Sequence, residues 1–411
     1  MSTRLTIERL GHLGDGIAPG PVYVPRALPG EMVEGTVEAG RMDAPRILSP
    51  APDRVRAPCP HYAACGACAL QHASEDFVTD WKRQVIRAAL AAQGLETAMR
   101  PPAVSPPGAR RRATLAGRRT KKGAIVGFHA RASDTIVAVP DCRVLHPDLL
   151  AIVPLCERLT RLGASRKGAL AFAMTRSEAG VDLEVREARA LDLELRAELA
   201  ALGAGADLAR LSWNGEQIAE RRPPIQRFGG VAVVPPPGAF LQATAEGEAA
   251  LVSAVAEAVA GAGRVVDLFA GCGTFALPLA ARAEVHAVEG TAALTAALDR
   301  GWRHGEGLKP VTVETRDLFR RPLQPDELAG FDAAVIDPPR AGAAAQTQAL
   351  AVSGVPRVAA VSCNPVTFAR DAKTLTEAGF RLDWVQLVDQ FRWSAHVELA
   401  AQFTRAHIDP Q

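Results

Sequence analysis

Aromatic residues are scarce in this chain: 5% of 411 residues, with two tyrosines. That scarcity argues against a broad base-stacking platform. An excess of one charge sign is also missing. The 47 Lys and Arg stand against 45 Asp and Glu, a net charge of +2, too small to announce a nucleic-acid binder. Any basic surface must be local. Long hydrophobic runs are absent too. The best candidate, 249–263, is 15 residues long and carries Glu257, whereas a membrane span needs about 18 to 20. The opening MSTRLTIERL has no apolar core of the kind a signal peptide needs. A cytoplasmic protein with no membrane contact is expected. In that reducing compartment the seven cysteines serve as metal ligands, catalysts or core residues before they serve as disulfides.

Hydrophobic residues at 48% and charged residues at 22% suit packed domains. Residues 1–55 are short alternating stretches broken by glycine and proline, which reads as a small closed β barrel. Residues 56–235 form a mixed, strand-rich middle domain. It opens on a cysteine cluster, followed by an amphipathic helix over 75–93 with Phe77, Trp81, Val85, Ile86 and Leu90 on its apolar face and Ser74 as N-cap. Within it, Arg110–Lys122 packs seven positive charges into 13 residues, either an RNA contact or a solvated face. The prolines at 235–237 mark a linker. Residues 236–411 alternate helices with short apolar strands, the pattern of a parallel sheet covered on both faces. The last two strand segments lack an intervening helix and are expected to pair antiparallel. Such an α/β, Rossmann-like seven-stranded sheet is the class I S-adenosylmethionine methyltransferase architecture. A monomer is expected.

In such sheets chemistry lies beyond the carboxyl ends of the strands. The first strand runs into Asp267-Leu-Phe-Ala-Gly-Cys-Gly-Thr274. Its glycines allow a tight turn and close approach of backbone to ligand. Glu289 ends the next strand, 22 residues after Asp267, where a carboxylate can accept from both ribose hydroxyls. Asp317, after the third, can accept from an adenine amino group. The loop reads DxFxGxGT, not GxGxxG, which favours S-adenosylmethionine over another nucleotide-like ligand or a structural turn. The fourth strand runs into Asp337-Pro-Pro-Arg340, the fifth into Cys363-Asn364-Pro365. A cysteine at a strand end, with a proline shaping the turn, reads as an exposed thiol more than as the buried small residue that free cysteine often is.

Taken together, the four-cysteine set, GAFLQATAEGE, DLFAGCGTF, IDPPRAG, VSCNPVTFARD and the closing HVE resemble the RNA 5-methyluridine methyltransferase family of the TrmA/RumA type. The likeness spans nearly the whole chain and is strongest to the 23S rRNA uracil-C5 enzymes that carry a TRAM domain and an iron–sulfur cluster. Cys363 and Glu398, 35 residues apart, have the spacing usual in that family. The resemblance implies that Cys363 is the nucleophile and Glu398 the general base. It implies that Gln242, Phe269, Thr274, Glu289, Asp317 and Asp337 surround S-adenosylmethionine. The chain departs from the family at Thr244 and Thr274, where asparagine is frequent, and at Phe391-Arg392-Trp393-Ser394. His396 shares a strand face with Glu398 and is a rival base. Arg340 is a candidate partner for an oxyanion or phosphate, or a structural salt bridge.

Cys59, Cys65 and Cys68 give C-x5-C-x2-C, and Cys142 adds a distant fourth thiol. Four thiolates suit an iron–sulfur cluster or zinc, and the resemblance favours [4Fe–4S]. RLTIERLGHLGDGIA resembles the opening of a TRAM domain, which implies RNA, 23S rRNA before tRNA, as partner. Two other readings exist. An amino methyltransferase would read DPPR as a variant (D/N)PP(Y/F) motif, but Arg340 offers no aromatic face and Cys363 and Glu398 would stand idle. A non-catalytic iron–sulfur RNA-binding protein would leave VSCNP and HVE without a role.

Overall fold

The apolar strands of the C-terminal half assemble into a nine-stranded sheet in a computed structural model that describes residues 2–165 and 167–405. Its order is Val311–Thr315, Glu284–Glu289, Arg264–Leu268, Ala333–Ile336, Arg357–Ser362, Leu399–Arg405, Phe380–Asp389 and Ala98–Met99, with Ala103–Val104 also paired to Phe380–Asp389. The first five strands are parallel, and Leu399–Arg405 runs antiparallel to both its neighbours. Seven of these strands match the sequence pattern. The other two are two-residue segments, too short to show any periodicity.

Burial on both faces explains why these strands read as apolar runs. Val265, Val335, Ala359 and Val361 enter one apolar cluster, while Val266, Leu268, Ala334, Ile336 and Val358 enter the other. The chain starts at Arg264–Leu268 in the middle, builds outward to one edge, then returns to build the other. The crevice for a ligand therefore opens above that central strand, at the carboxyl ends.

Residues 112–220 form a separate seven-stranded sheet with its own core around Leu115, Phe172, Leu183 and Trp213. The N-terminal segment was expected to close as a single barrel. It forms two three-stranded sheets, one from Ser2–Thr6, Met32–Thr36 and Arg46–Ser49, the other from Arg9–Leu10, Gly16–Ala18 and Val22–Val24. Ile7, Ala18, Val24, Val33 and Met42 fill the space they enclose.

The helix Glu75–Ala91 begins where its cap indicated, with the Ser74 hydroxyl accepting from the Phe77 N–H at 3.3 Å. It packs on the nine-stranded sheet, sending Ile86 and Leu90 into that core. Between them and the cap lies Lys82, fully buried. Its ammonium donates to Asp389 at 2.7 Å and to the Phe391 carbonyl at 3.1 Å. A segment distant in sequence is thus pinned to the end of strand Phe380–Asp389. Removing one partner of a buried ion pair strands the other charge, at about 3–5 kcal/mol. Lys82→Met is accordingly expected to lower stability by about that amount, read as a shift of the urea midpoint. The double variant Lys82→Met/Asp389→Leu should recover much of the loss.

Candidate active site

The ladder between Arg357–Ser362 and Leu399–Arg405 has a fixed antiparallel register in which Ser362 pairs with Leu399. Extending that register by one residue sets Cys363 opposite Glu398. Directly opposed residues carry their Cβ atoms about 4.5–5.5 Å apart on one face. The strand stops at Ser362 because Asn364 caps the helix Pro365–Glu377, its side chain accepting from the Val366 N–H at 3.1 Å. Cys363 is left half-buried at the junction. Glu398 is 4% exposed, its backbone carbonyl accepting from the Val388 N–H at 2.9 Å.

The electrostatics follow from crowding carboxyls into a dry corner. Burial, reinforced by Asp337, pushes Glu398 well above the usual carboxylate range, while a hydrogen bond from Gln390 and the charge of Arg340 pull it back. Burial raises Asp337 as well. Burial and then Glu398 and Asp337 push the Cys363 thiol up, and Arg340 opposes them. Arg340 is therefore the cation that faces this group. Its guanidinium also reaches His396 Nδ1 at 2.8 Å, and its carbonyl accepts from Asn364 Nδ2 at 2.9 Å. His396 is solvent-accessible at its surface, and partial desolvation of its ring, then the Arg340 charge, lowers its pKa. Of the two rival bases, Glu398 is the enclosed one.

The glycine loop lies beside this pair. Gly271 has φ +57° and open space where a Cβ would stand, and Phe269 holds a left-handed φ of 64°, a strain usual at ligand sites. The Glu289 carboxylate accepts from the Gly271 N–H at 3.1 Å and the Thr291 N–H at 2.9 Å, so the loop and the second strand orient each other. Asp317 accepts from the Phe319 N–H at 3.0 Å and pairs with Arg320 at 3.5 Å. Thr274 is half-buried and borders a cavity of about 330 Å³ shared with Glu248 and Ser253. Gln242 is buried, its Oε1 accepting from Gln390 at 2.6 Å.

Three groups near the site were not legible as site residues. Phe319 is 51% exposed and packs on Phe269 with ring centroids 5.5 Å apart; no motif marks it. Asp267 is fully buried, and among the described residues neither carboxylate oxygen has a hydrogen-bond partner. Burial, then Asp337 and Glu289, push its pKa well up; the Ala276 N–H counters from outside hydrogen-bonding geometry. Gln390 immediately precedes Phe391-Arg392-Trp393-Ser394, a stretch read only as a departure from family pattern, and no motif includes it.

The basic run divides. Arg111 pairs with Glu248 at 2.5 Å, and Arg112 donates to the Leu241 carbonyl at 3.1 Å while lying 4.5 Å over the Phe240 ring. These arginines tie the middle sheet to the segment carrying Gln242. Arg119, Lys121 and Lys122 are exposed. Among the described residues, no group of three or more His, Cys, Asp or Glu stands in metal-holding geometry. Cys59, Cys65, Cys68 and Cys142 nonetheless lie within one another's fields. Burial raises Cys65, Cys68 and Cys142, Cys68 to about 12, and in each the other thiols push further in the same direction. The cysteine loop docks tightly: the Gly66 N–H donates to the His129 carbonyl at 2.9 Å, and a Cβ at 66 would lie 2.8 Å from backbone atoms of His129 and Arg131.

Comparison with known proteins agrees with this arrangement. A family model described as tRNA (Uracil-5-)-methyltransferase matches residues 310–406. An uncharacterised RNA methyltransferase of Brucella suis is 44% identical over 405 residues, covering 98% of each chain. The 23S rRNA (uracil(1939)-C(5))-methyltransferase RlmD of Chromohalobacter salexigens is 34% identical, covering 98% of this chain and 89% of its own. The crystal structure of Pyrococcus abyssi tRNA (uracil-54, C5)-methyltransferase in complex with S-adenosyl-L-homocysteine superimposes with a TM-score of 0.78 at 23% identity, over 98% of this chain and 99% of that one, which establishes the fold. With the methyltransferase sheet, the strand-end thiol and these full-length relatives together, the chain belongs to the S-adenosylmethionine-dependent RNA uracil-C5 methyltransferase family of enzymes.

Proposed function

We propose that the protein forms 5-methyluridine in 23S rRNA by covalent catalysis, with Cys363 as nucleophile and Glu398 as general base. What supports this is the ladder that ends on the Ser362–Leu399 pair, next to both residues, and the field of Glu398 at the Cys363 thiol. C5 of uracil is a weak nucleophile. The Cys363 thiolate adds to C6, which gives C5 carbanion character. Arg340 faces the thiol and offsets the neighbouring carboxylates, so it assists ionisation of Cys363 and balances charge on the uracil oxygens. S-adenosylmethionine, when bound, supplies the methyl group that C5 takes up. Glu398 then removes the C5 proton and Cys363 leaves. The base must be ionised to act, and its pKa is raised, so turnover falls as pH drops through a range above that of ordinary carboxylates.

Residues at the strand ends fit S-adenosylmethionine. Glu289 and Asp317, which are not buried, would give the crevice negative charge, which suits a ligand carrying a sulfonium and an ammonium. Glu289 would take the ribose, and Asp317 with the Phe269 and Phe319 rings the adenine. Gln242, Thr274 and Asp337 complete the surroundings. Cys59, Cys65, Cys68 and Cys142 would hold a [4Fe–4S] cluster. The four thiols supply the donor set, with Cys65, Cys68 and Cys142 raised by burial and then by neighbouring thiols, and the cluster would be a tie between the 59–72 loop and the middle sheet. The N-terminal sheets would serve as a TRAM-type RNA contact, next to a cleft of about 1010 Å³ bordered by Arg26, Arg41, Arg54 and Arg131. The protein would act as a cytoplasmic monomer. The relative that acts on 23S rRNA matches at higher identity than the one that acts on tRNA, which is why rRNA is put first.

With RNA and labelled S-adenosylmethionine, Glu398→Gln is expected to accumulate a labelled, gel-retarded adduct, because the methylated base cannot lose its C5 proton. Cys363→Ala should give neither adduct nor product. An adduct in the alanine variant would reject the nucleophile assignment. Glu289→Ala is expected to weaken S-adenosylmethionine binding by roughly 1–3 kcal/mol, measured by calorimetry. Protein purified without oxygen should contain about four irons with matching sulfide. One zinc and no iron would overturn the cluster.

A further inference from the structure

Among the described residues Glu398 has one side-chain hydrogen-bond donor, and that donor belongs to a residue no motif singled out. Gln390 is 2% exposed. Its Nε2 donates to Gln242 Oε1 at 2.6 Å and to Glu398 Oε2 at 3.2 Å. Its Oε1 accepts from the Ala243 N–H at 2.6 Å. An amide nitrogen has two protons and two acceptors are present, while the carbonyl oxygen meets a backbone donor. Rotating the amide by half a turn would set its oxygen against two acceptors and its nitrogen against an N–H. Only one orientation is therefore tenable.

The backbone of Gln390 is held as firmly. Asp389 Oδ1 accepts from buried Lys82 and from the Phe391 N–H at 3.1 Å, bridging over residue 390. The Ser105 N–H donates to the Asp389 carbonyl at 3.0 Å. A Cβ at Gly247 would come within 2.7 Å of Gln390 Cβ, so the helix Ala245–Ala258 offers a glycine where the glutamine stands. A turn fixed on three sides presents one amide to one carboxylate.

We propose that Gln390 is a positioning residue that, by donating to Glu398, keeps its carboxylate ionised and turned toward the C5 proton as the pH falls, with Gln242 and the Ala243 N–H holding the amide in turn. This rests on the covalent mechanism proposed above. A donor to the ionised form also favours that form. The other groups facing Glu398 are Asp337 from the fourth strand, Cys363 from the fifth and Arg340 from the loop between them. The carboxyl of Asp337 opposes ionisation of Glu398, Arg340 supports it, and Gln390 is the neutral contribution.

The test uses the full-length protein purified without oxygen, an unmodified 23S rRNA transcript, and three variants. Gln390→Met keeps the volume and removes the donor. Gln390→Glu keeps an acceptor for the Ala243 N–H and sets a carboxylate where the donor was, so it reports on the same contact if the methionine variant loosens the fold. Glu398→Gln is the control. Both Gln390 variants are expected to move the acid limb of kcat upward by about one pH unit, a loss of about tenfold on that limb, with rates converging on wild type at higher pH. The methylated adduct should build up on the limb and discharge on a jump to higher pH, with KM for S-adenosylmethionine and RNA unchanged. A uniform loss at every pH, or an unmoved limb, would overturn the assignment. If Glu398→Gln stalls as an adduct while the Gln390 variants behave as wild type, this inference alone fails. If Glu398→Gln turns over normally, the underlying mechanism fails and this inference goes with it.

Discussion

The antiparallel register of Leu399–Arg405 against Arg357–Ser362 is the constraint on which the active site depends. Side chains alternate along a strand, so a slip of one residue would turn every side chain to the opposite face. Leu399, Ala401 and Phe403 would leave one apolar cluster and Ala400 the other. The core therefore holds the register, and the register holds Cys363 opposite Glu398. The energy that keeps two reactive groups in line comes from apolar surface remote from them.

The same burial sets the chemistry. A thiol and several carboxyls at the strand ends share a corner with Arg340 as the facing cation. Dryness raises Glu398 and Asp337, which makes a carboxylate basic enough to take a proton from carbon. It also raises the thiol, which works against nucleophilic attack. Arg340 acts on both groups in the direction of ionisation, so the geometry balances a stronger base against a less available thiolate. The wider crevice is also rich in carboxyls, and Asp267, buried in the central strand, has no hydrogen-bond partner among the described residues.

The N-terminal half is part of this arrangement and not an appended module. Lys82 reaches Asp389. The Ala69 and Leu70 N–H groups, next to the cysteine loop, donate to the Trp393 carbonyl at 2.8 and 2.9 Å. Arg392 donates to the Ser105 carbonyl at 3.0 Å and pairs with Glu75. The turn 389–397 that precedes the base is thus braced by residues from 69 to 105. Loosening the cysteine loop would be felt at the turn through these contacts.

By itself the sequence determined what local pattern can carry. Apolar runs buried on both faces announced the parallel sheet, a serine cap announced the start of Glu75–Ala91, and the strand-end Cys363 and Glu289 were legible because their strands were. Tertiary structure decided what depends on distant segments meeting. The strands Ala98–Met99 and Ala103–Val104 exist only because the edge strand Phe380–Asp389 offers them partners. The alternating stretches before residue 50 announced short strands, but turns alone do not fix which edges pair, and the strands group into two small sheets around one apolar core. Arg110–Lys122 reads as one basic patch in the chain, yet Arg111 and Arg112 are spent on Glu248 and the Leu241 carbonyl. Lys82 and Gln390 looked like ordinary polar residues. Their importance comes from burial beside Asp389 and Glu398, 307 and 8 residues away, and burial is what makes a single hydrogen bond or charge matter.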